Sequence, residues 1–251
     1  MSKEVANYDE ELARLAKKAT AVEKPSSSTV GARAGVLTYN GNPVPGNKLE
    51  CIIIASTHAN LYYETKFDPN NPTNPVCYAY CEDPDEEDPV PHHKSSKPQA
   101  ERCADCWAYK WNSDLEGGRG KACKETRRLA ILPGGVEAGD IANAEVAILT
   151  LPVMSVGKKW SPYVHKIATL YNRPPLGMKT VISTVPDQKA QFLITFDDLS
   201  VVDNSLLGGL LDKAKSEVVV SLLERAYDPN PEPTEEEEEA AKKKSARAKK
   251  F

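Results

Sequence analysis

The sequence predicts a mainly β fold with peripheral helices (α+β): a small antiparallel barrel with a long cysteine-rich insertion and a C-terminal helix. Three observations predict it. Short apolar stretches bounded by turn residues recur at about seven places. Five of the six cysteines fall between positions 77 and 123, in a stretch with little apolar content. Helix-spaced leucines and valines then run through 204–226.

Taken in order, residues 3–19 place Val5, Leu12, Leu15 and Ala16 among charges, a loose helical spacing that suits a docking arm. Lys24-Pro25 and three serines break it as a linker. Strands are expected at 35–39, 49–55 and 60–66, with Asn40-Gly41 as a turn. They resume at 128–132, 145–152, 180–185 and 191–196. Ser161 and Pro162 open a helix over 161–170, because proline suits the first helical position. One continuous helix is expected over 204–226, stopped by Asp228 and the prolines after it. The domain reading is therefore an arm and linker (1–30), a globular domain (31–228) with an insertion at 67–127, and a charged tail (229–251). Six Glu followed by six Lys or Arg in that tail are expected to stay disordered.

Charge and length bound the function. The 251 residues carry 32 Lys plus Arg against 36 Asp plus Glu, a net −4, so a globally basic nucleic-acid-binding protein is excluded. Apolar runs of four or five residues fall far short of the roughly 20 that a membrane-spanning helix needs. The charged N-terminus has no apolar signal region, so the expectation is a soluble cytoplasmic protein with reduced cysteines.

Reduced cysteines need another purpose, and their spacing supplies one. Cys103 and Cys106 form a C-x-x-C pair, which sets two thiolates toward one tetrahedral ion. Cys77 and Cys123 flank it, while Cys51 stands apart in an apolar strand. A long loop inside a compact domain needs a tie, and bound zinc supplies folding free energy. Cys77, Cys103, Cys106 and Cys123 are the expected ligands, with Cys81, His92 or His93 as substitutes for one of them. No H-E-x-x-H, no H-x-E with P-C-x-x-C and no thioredoxin pattern is present, so the zinc is expected to be structural.

Aromatic and basic residues surround these cysteines. Trp107, Tyr109 and Trp111 follow the C-x-x-C pair, then Arg119, Lys121, Lys124, Arg127 and Arg128. Residues 117–128 hold five cations and one Glu. Glycine-rich basic loops track a phosphate backbone, and aromatic rings stack on unpaired bases. Lys158, Lys159 and Trp160 form a second cluster of the same kind. The G-G-R-G-K run lacks the first glycine and the Ser/Thr of a P-loop. The acidic run at 82–88 reads as a solvated loop. No carboxylate pair, Ser-His-Asp set or Cys-His arrangement appears, so the expectation is not an enzyme.

FDPNNPTNPVCYAY, PHHKSSKPQAERCADC and GGRGKACKETRRLAIL together resemble a group of bacteriophage and prophage proteins with the order DPNNP–PVC–CxxC–GKGKACK–RRLAL. The resemblance spans about 36–196. It implies a single-stranded-DNA-binding protein of phage replication or recombination, acting in the cytoplasm of an infected bacterium. Its matched cysteines are Cys77, Cys103, Cys106 and Cys123. Trp107 stands where that pattern has proline, and Cys81 is additional. The expected fold is then an OB-like barrel with a zinc-stapled insertion. Its expected partners are single-stranded DNA and, through the tail, phage replication or recombination proteins. The alternative is a zinc-containing adaptor that binds a host or phage protein.

Overall fold

The structure, a computed structural model, describes residues 28–65, 73–84 and 87–227. The arm expected over 1–30, apart from its last three residues, and the tail expected over 229–251 lie outside them. The chain divides into two compact units. The first comprises the residues up to His58 together with Glu125–Glu224, and the second Ala59–Lys124 with the segment from Arg225.

Nine strands make up a mixed sheet: β1 (Thr29–Arg33), β2 (Val36–Tyr39), β3 (Asn42–Pro43), β4 (Lys48–Tyr62), β5 (Cys77–Cys81), β6 (Lys124–Pro133), β7 (Ala147–Leu151), β8 (Met178–Asp187) and β9 (Gln191–Val201). Their order is β3-β2-β1-β7-β6-β4-β8-β9, with β5 paired to β4. β1 and β7 run parallel, Val30 opposite Leu149, while β1–β2, β6–β7, β4–β8 and β8–β9 are antiparallel. The sheet is open: among the described residues no ladder joins β3 to β9. The mainly β, α+β character matches the expectation.

Two tight turns start the meander. Ala34-Gly35 (φ +50°, +79°) and Asn40-Gly41 (φ +49°, +80°) both carry the double positive φ that lets a two-residue turn follow the strands' right-handed twist. The second was legible as Asn-Gly. The first joins β1, a strand missed because Gly31-Ala32 breaks its alternation.

In the first unit the central strands are buried on both faces. Cys51 and Ile53 of β4, Leu129 and Ile131 of β6, and Leu149 and Leu151 of β7 share one core with Trp160, Tyr163 and Ile167. Ile52, Ile54, Ala130 and Leu132 point the other way, onto Leu210, Val219 and Leu223. Successive side chains of a strand alternate between faces, so burial on both gives an unbroken apolar run. That is why residues 51–55 read Cys-Ile-Ile-Ile-Ala.

Three helices cover these faces: α1 (Ser161–Tyr171), α2 (Asn204–Ala214) and α3 (Glu217–Leu223). A helical turn, Val153–Ser155, and a wider π turn, Val156–Trp160, lead into α1. Asn172, at φ +51°, ends α1 and donates its N–H to the Ala168 carbonyl at 3.1 Å. The single helix expected over 204–226 is two helices. Ser216 adopts extended geometry and its hydroxyl accepts the Val219 N–H (3.4 Å), so it caps α3 and interrupts α2. No helix among the described residues is long and apolar enough to cross a membrane.

Candidate metal centre and basic loop

β4 and β5 bring Asn60, Tyr62 and Cys77 to one place in the second unit. Cys103 and Cys106 form a tight turn, the Cys106 N–H donating to the Cys103 carbonyl at 3.1 Å. A short 3-10 turn, Trp107–Tyr109, follows, and the Cys123 N–H returns to the Ala108 carbonyl at 2.8 Å. These connections bring Cys77, Cys103, Cys106 and Cys123 to line one small cavity of about 10 Å³. All four are 7–8% exposed, and no disulfide joins any of the six cysteines.

Polar neighbours are aimed at two of the sulfurs. The Gln99 backbone and the Ser95 side chain lie beside Cys77, and the Asn60 side chain beside Cys103, each favouring the charged sulfur. Donors of this kind favour thiolate over thiol and orient it. Burial acts oppositely and more strongly, raising the Cys77 thiol and pushing Cys103 up to about 11. Among the described residues no three His, Cys, Asp or Glu side chains form a metal-holding group.

The proposed substitutes lie elsewhere. Cys81 is buried at the end of β5 and does not line the cavity. His92 stacks on Tyr78 (centroids 4.9 Å apart, 22° between planes), and its Nδ1 accepts the Lys94 N–H at 3.2 Å. His93 packs on His92 at 4.3 Å. Cys51 sits in the core of the first unit, where burial pushes its thiol up to about 12.

The basic loop folds back on itself beside this cavity. Asn112 N–H donates to the Arg119 carbonyl (3.3 Å), Asp114 N–H to Gly120 (3.2 Å), and Gly117 N–H to Asp114 (3.0 Å). Ser113 Oγ accepts the Ala122 N–H (2.9 Å) and donates to the Lys110 carbonyl (2.6 Å). A Cβ at Gly118 would meet the Asp114 carboxylate at 2.9 Å, a contact that a shift of that side chain relieves. Lys121 Nζ lies 3.8 Å from the centre of the Tyr109 ring and 5.4 Å from that of Trp111. Trp111 is 71% exposed. Trp107 is 43% exposed, packs edge-on against Tyr62 at 5.6 Å, and donates its indole N–H to Gln99 Oε1 at 3.2 Å. Arg119 and Lys124 are exposed, Lys124 Nζ reaching the Lys121 carbonyl at 2.8 Å.

The remaining expected contacts belong to the first unit, and burial removes two of them. Trp160 is 3% exposed and packs on Phe196 (5.2 Å) and Tyr163 (6.1 Å), so no base can stack on its face. Arg128 is 7% exposed and donates to the Leu223 carbonyl at 2.9 Å, fastening β6 to the end of α3. Arg127 is half-buried in β6, and Lys159 half-buried in the π turn. Lys158 is exposed but ion-paired with Asp187 at 2.8 Å.

Asn60, Gln99, Ser95 and Asp114 were missed at the level of sequence. Only Asn60 left a signal, a polar residue within a stretch that otherwise alternates as a strand. Comparisons with protein-family models, with curated proteins and with solved structures return no match.

Proposed function

We propose that the chain is a non-catalytic single-stranded-DNA-binding protein of bacteriophage replication or recombination. Its basic loop would be seated on a structural zinc held by Cys77, Cys103, Cys106 and Cys123. The observation that carries this reading is the exposed Trp111 ring, grouped with Lys121 and Tyr109 on a glycine-rich loop that also presents Arg119 and Lys124. A base stacked on an exposed aromatic ring gains about 1–3 kcal/mol whatever its sequence, and the cations hold the backbone beside it. In a chain of net charge −4 this depends on segregating positive charge into one loop.

The four-cysteine cavity and its sulfur-directed donors support the zinc, which would add folding free energy to a unit with a small core. The finer fold is an OB-like barrel. Leu37 of β2, Ile182 of β8 and Phe196 of β9 share one core. Asn47 Nδ2 donates to the Gly35 carbonyl (3.0 Å) and to Thr184 Oγ1 (2.8 Å), and Thr184 bonds the same carbonyl. These contacts between the turn before β2 and β8 support a sheet curled in that way. The motif resemblance supports the phage setting, the cytoplasm of an infected bacterium, and replication or recombination proteins as partners of the tail.

Fluorescence anisotropy with labelled oligo(dT), duplex DNA and RNA at two salt concentrations tests the reading. Oligo(dT) should bind more tightly than duplex, and more weakly at the higher salt. Binding of neither DNA nor RNA at low salt would make the loop a protein-docking surface, the adaptor alternative.

A further inference from the structure

A cleft of about 350 Å³ in the second unit is not explained by backbone tracking. Pro84, Glu87, Asp88, Pro89, Arg102 and Tyr109 form most of its wall. Part of that wall is flat and apolar: a tyrosine ring and two prolines. The rest is charged. Asp88 is ion-paired with Arg102 and accepts the Ala104 N–H at 3.4 Å, so a carboxylate and a guanidinium are held side by side. Glu87 N–H donates to the Asp83 carbonyl (2.9 Å), and its carboxylate accepts the Glu82 N–H (3.2 Å), which fixes the second carboxylate on this wall. Tyr109 is also the ring beneath Lys121, so the cleft adjoins the basic loop.

Among the described residues of the wall, two carboxylates stand against one guanidinium, a balance that repels a phosphate. They suit a flat, neutral ring that presents adjacent N–H donors beside an acceptor. We infer that the cleft takes one unpaired base of the bound strand and that this base is guanine. Guanine's Watson–Crick edge offers O6, then N1–H and N2–H₂, the order complementary to a guanidinium beside carboxylates. Thymine offers one donor between two acceptors. Adenine and cytosine set a ring acceptor beside their exocyclic amine, facing carboxylate lone pairs. The ring's faces meet Tyr109 and the prolines, as a small-ligand cleft lined by apolar groups with a few placed polar ones requires. The inference rests on the single-strand reading and adds base preference to it.

The full-length protein is titrated by anisotropy into labelled oligo(dT), the same oligonucleotide with one central deoxyguanosine, and the same with deoxyinosine, which lacks the N2 amine. Wild type should bind the guanine oligonucleotide about tenfold more tightly than oligo(dT), and inosine should lose most of that gain. Glu87→Gln, a conservative change at an exposed site, should erase the preference for the guanine oligonucleotide over oligo(dT). Equal affinity for the guanine and thymine oligonucleotides, or a preference that survives Glu87→Gln, overturns this inference and leaves strand binding standing. Failure of wild type to bind oligo(dT) overturns both.

Discussion

The Trp107 indole N–H is bonded to Gln99 Oε1 at 3.2 Å, and that same Gln99 lines the cavity of Cys77, Cys103, Cys106 and Cys123. One residue thus touches both the cysteine cavity and an aromatic ring of the candidate binding loop. Disturbance of the sulfurs should reach Trp107 through Gln99, through its chain neighbour Cys106 and through Tyr62, on which it packs.

Metal content is the first test. Purified protein should contain about one zinc per chain, released by a thiol-modifying reagent with a change in tryptophan fluorescence. Cys103→Ser combined with Cys106→Ser should abolish the metal, whereas Cys81→Ser, outside the cavity, should keep it. Zinc-free protein with an ordered 77–123 segment would defeat the proposal.

Electrostatic and stacking contributions should separate by salt. Each of Arg119→Ala, Lys121→Ala and Lys124→Ala should reduce the slope of log K against log salt by about 0.7. Trp111→Ala should instead cost about 1–3 kcal/mol of affinity with the slope nearly unchanged. Equal slopes for the cation variants and wild type would take the loop out of backbone contact.

Trp160 should behave as core. Trp160→Ala should lower unfolding free energy by about 3–5 kcal/mol, read from denaturant midpoints. Any loss of strand binding should then track the unfolded fraction. A fully folded Trp160→Ala protein with weakened binding would return the residue to the interface.

Asp187 sets one acid-side dependence. Its carboxyl is held down to about 2, first by the Lys158 ammonium and then by the Ala190 and Lys189 backbone N–H groups. The folded value lies below the unfolded one, so the stabilisation is present above about pH 4 and disappears as pH falls through about 2. Asp187→Asn should therefore flatten the change of the urea midpoint with pH across that window. Unchanged pH dependence in the variant would assign it to other carboxylates.

What was legible in the sequence follows from how each feature is encoded. The Asn40-Gly41 turn and the strand at 51–55 are local patterns, and each stands where its pattern placed it. β5 was hidden because Cys77–Cys81 lies among cysteines and turn residues that resemble a loop. β4 was divided in two because Thr57 and His58 interrupt its apolar run, although the strand continues through them. Trp160 was misread because Lys158 and Lys159 suggested an exposed face, while the π turn carries the indole inward. Gln99 lines the cysteine cavity from a loop, and such a position leaves no periodicity to find.

The two-sided core of the first unit also bears on how the chain is made. Val30, Ile53 and Leu129 can be covered by α1 soon after β7 leaves the ribosome. Ile52, Ile54, Ala130 and Leu132 wait for α2 and α3, which are synthesised after every strand. During that interval one apolar side of a nearly finished sheet faces solvent, the condition under which nascent chains aggregate or recruit chaperones. Nascent chains arrested before Asn204 should be the sticky ones, and release of α3 from the ribosome should end the hazard.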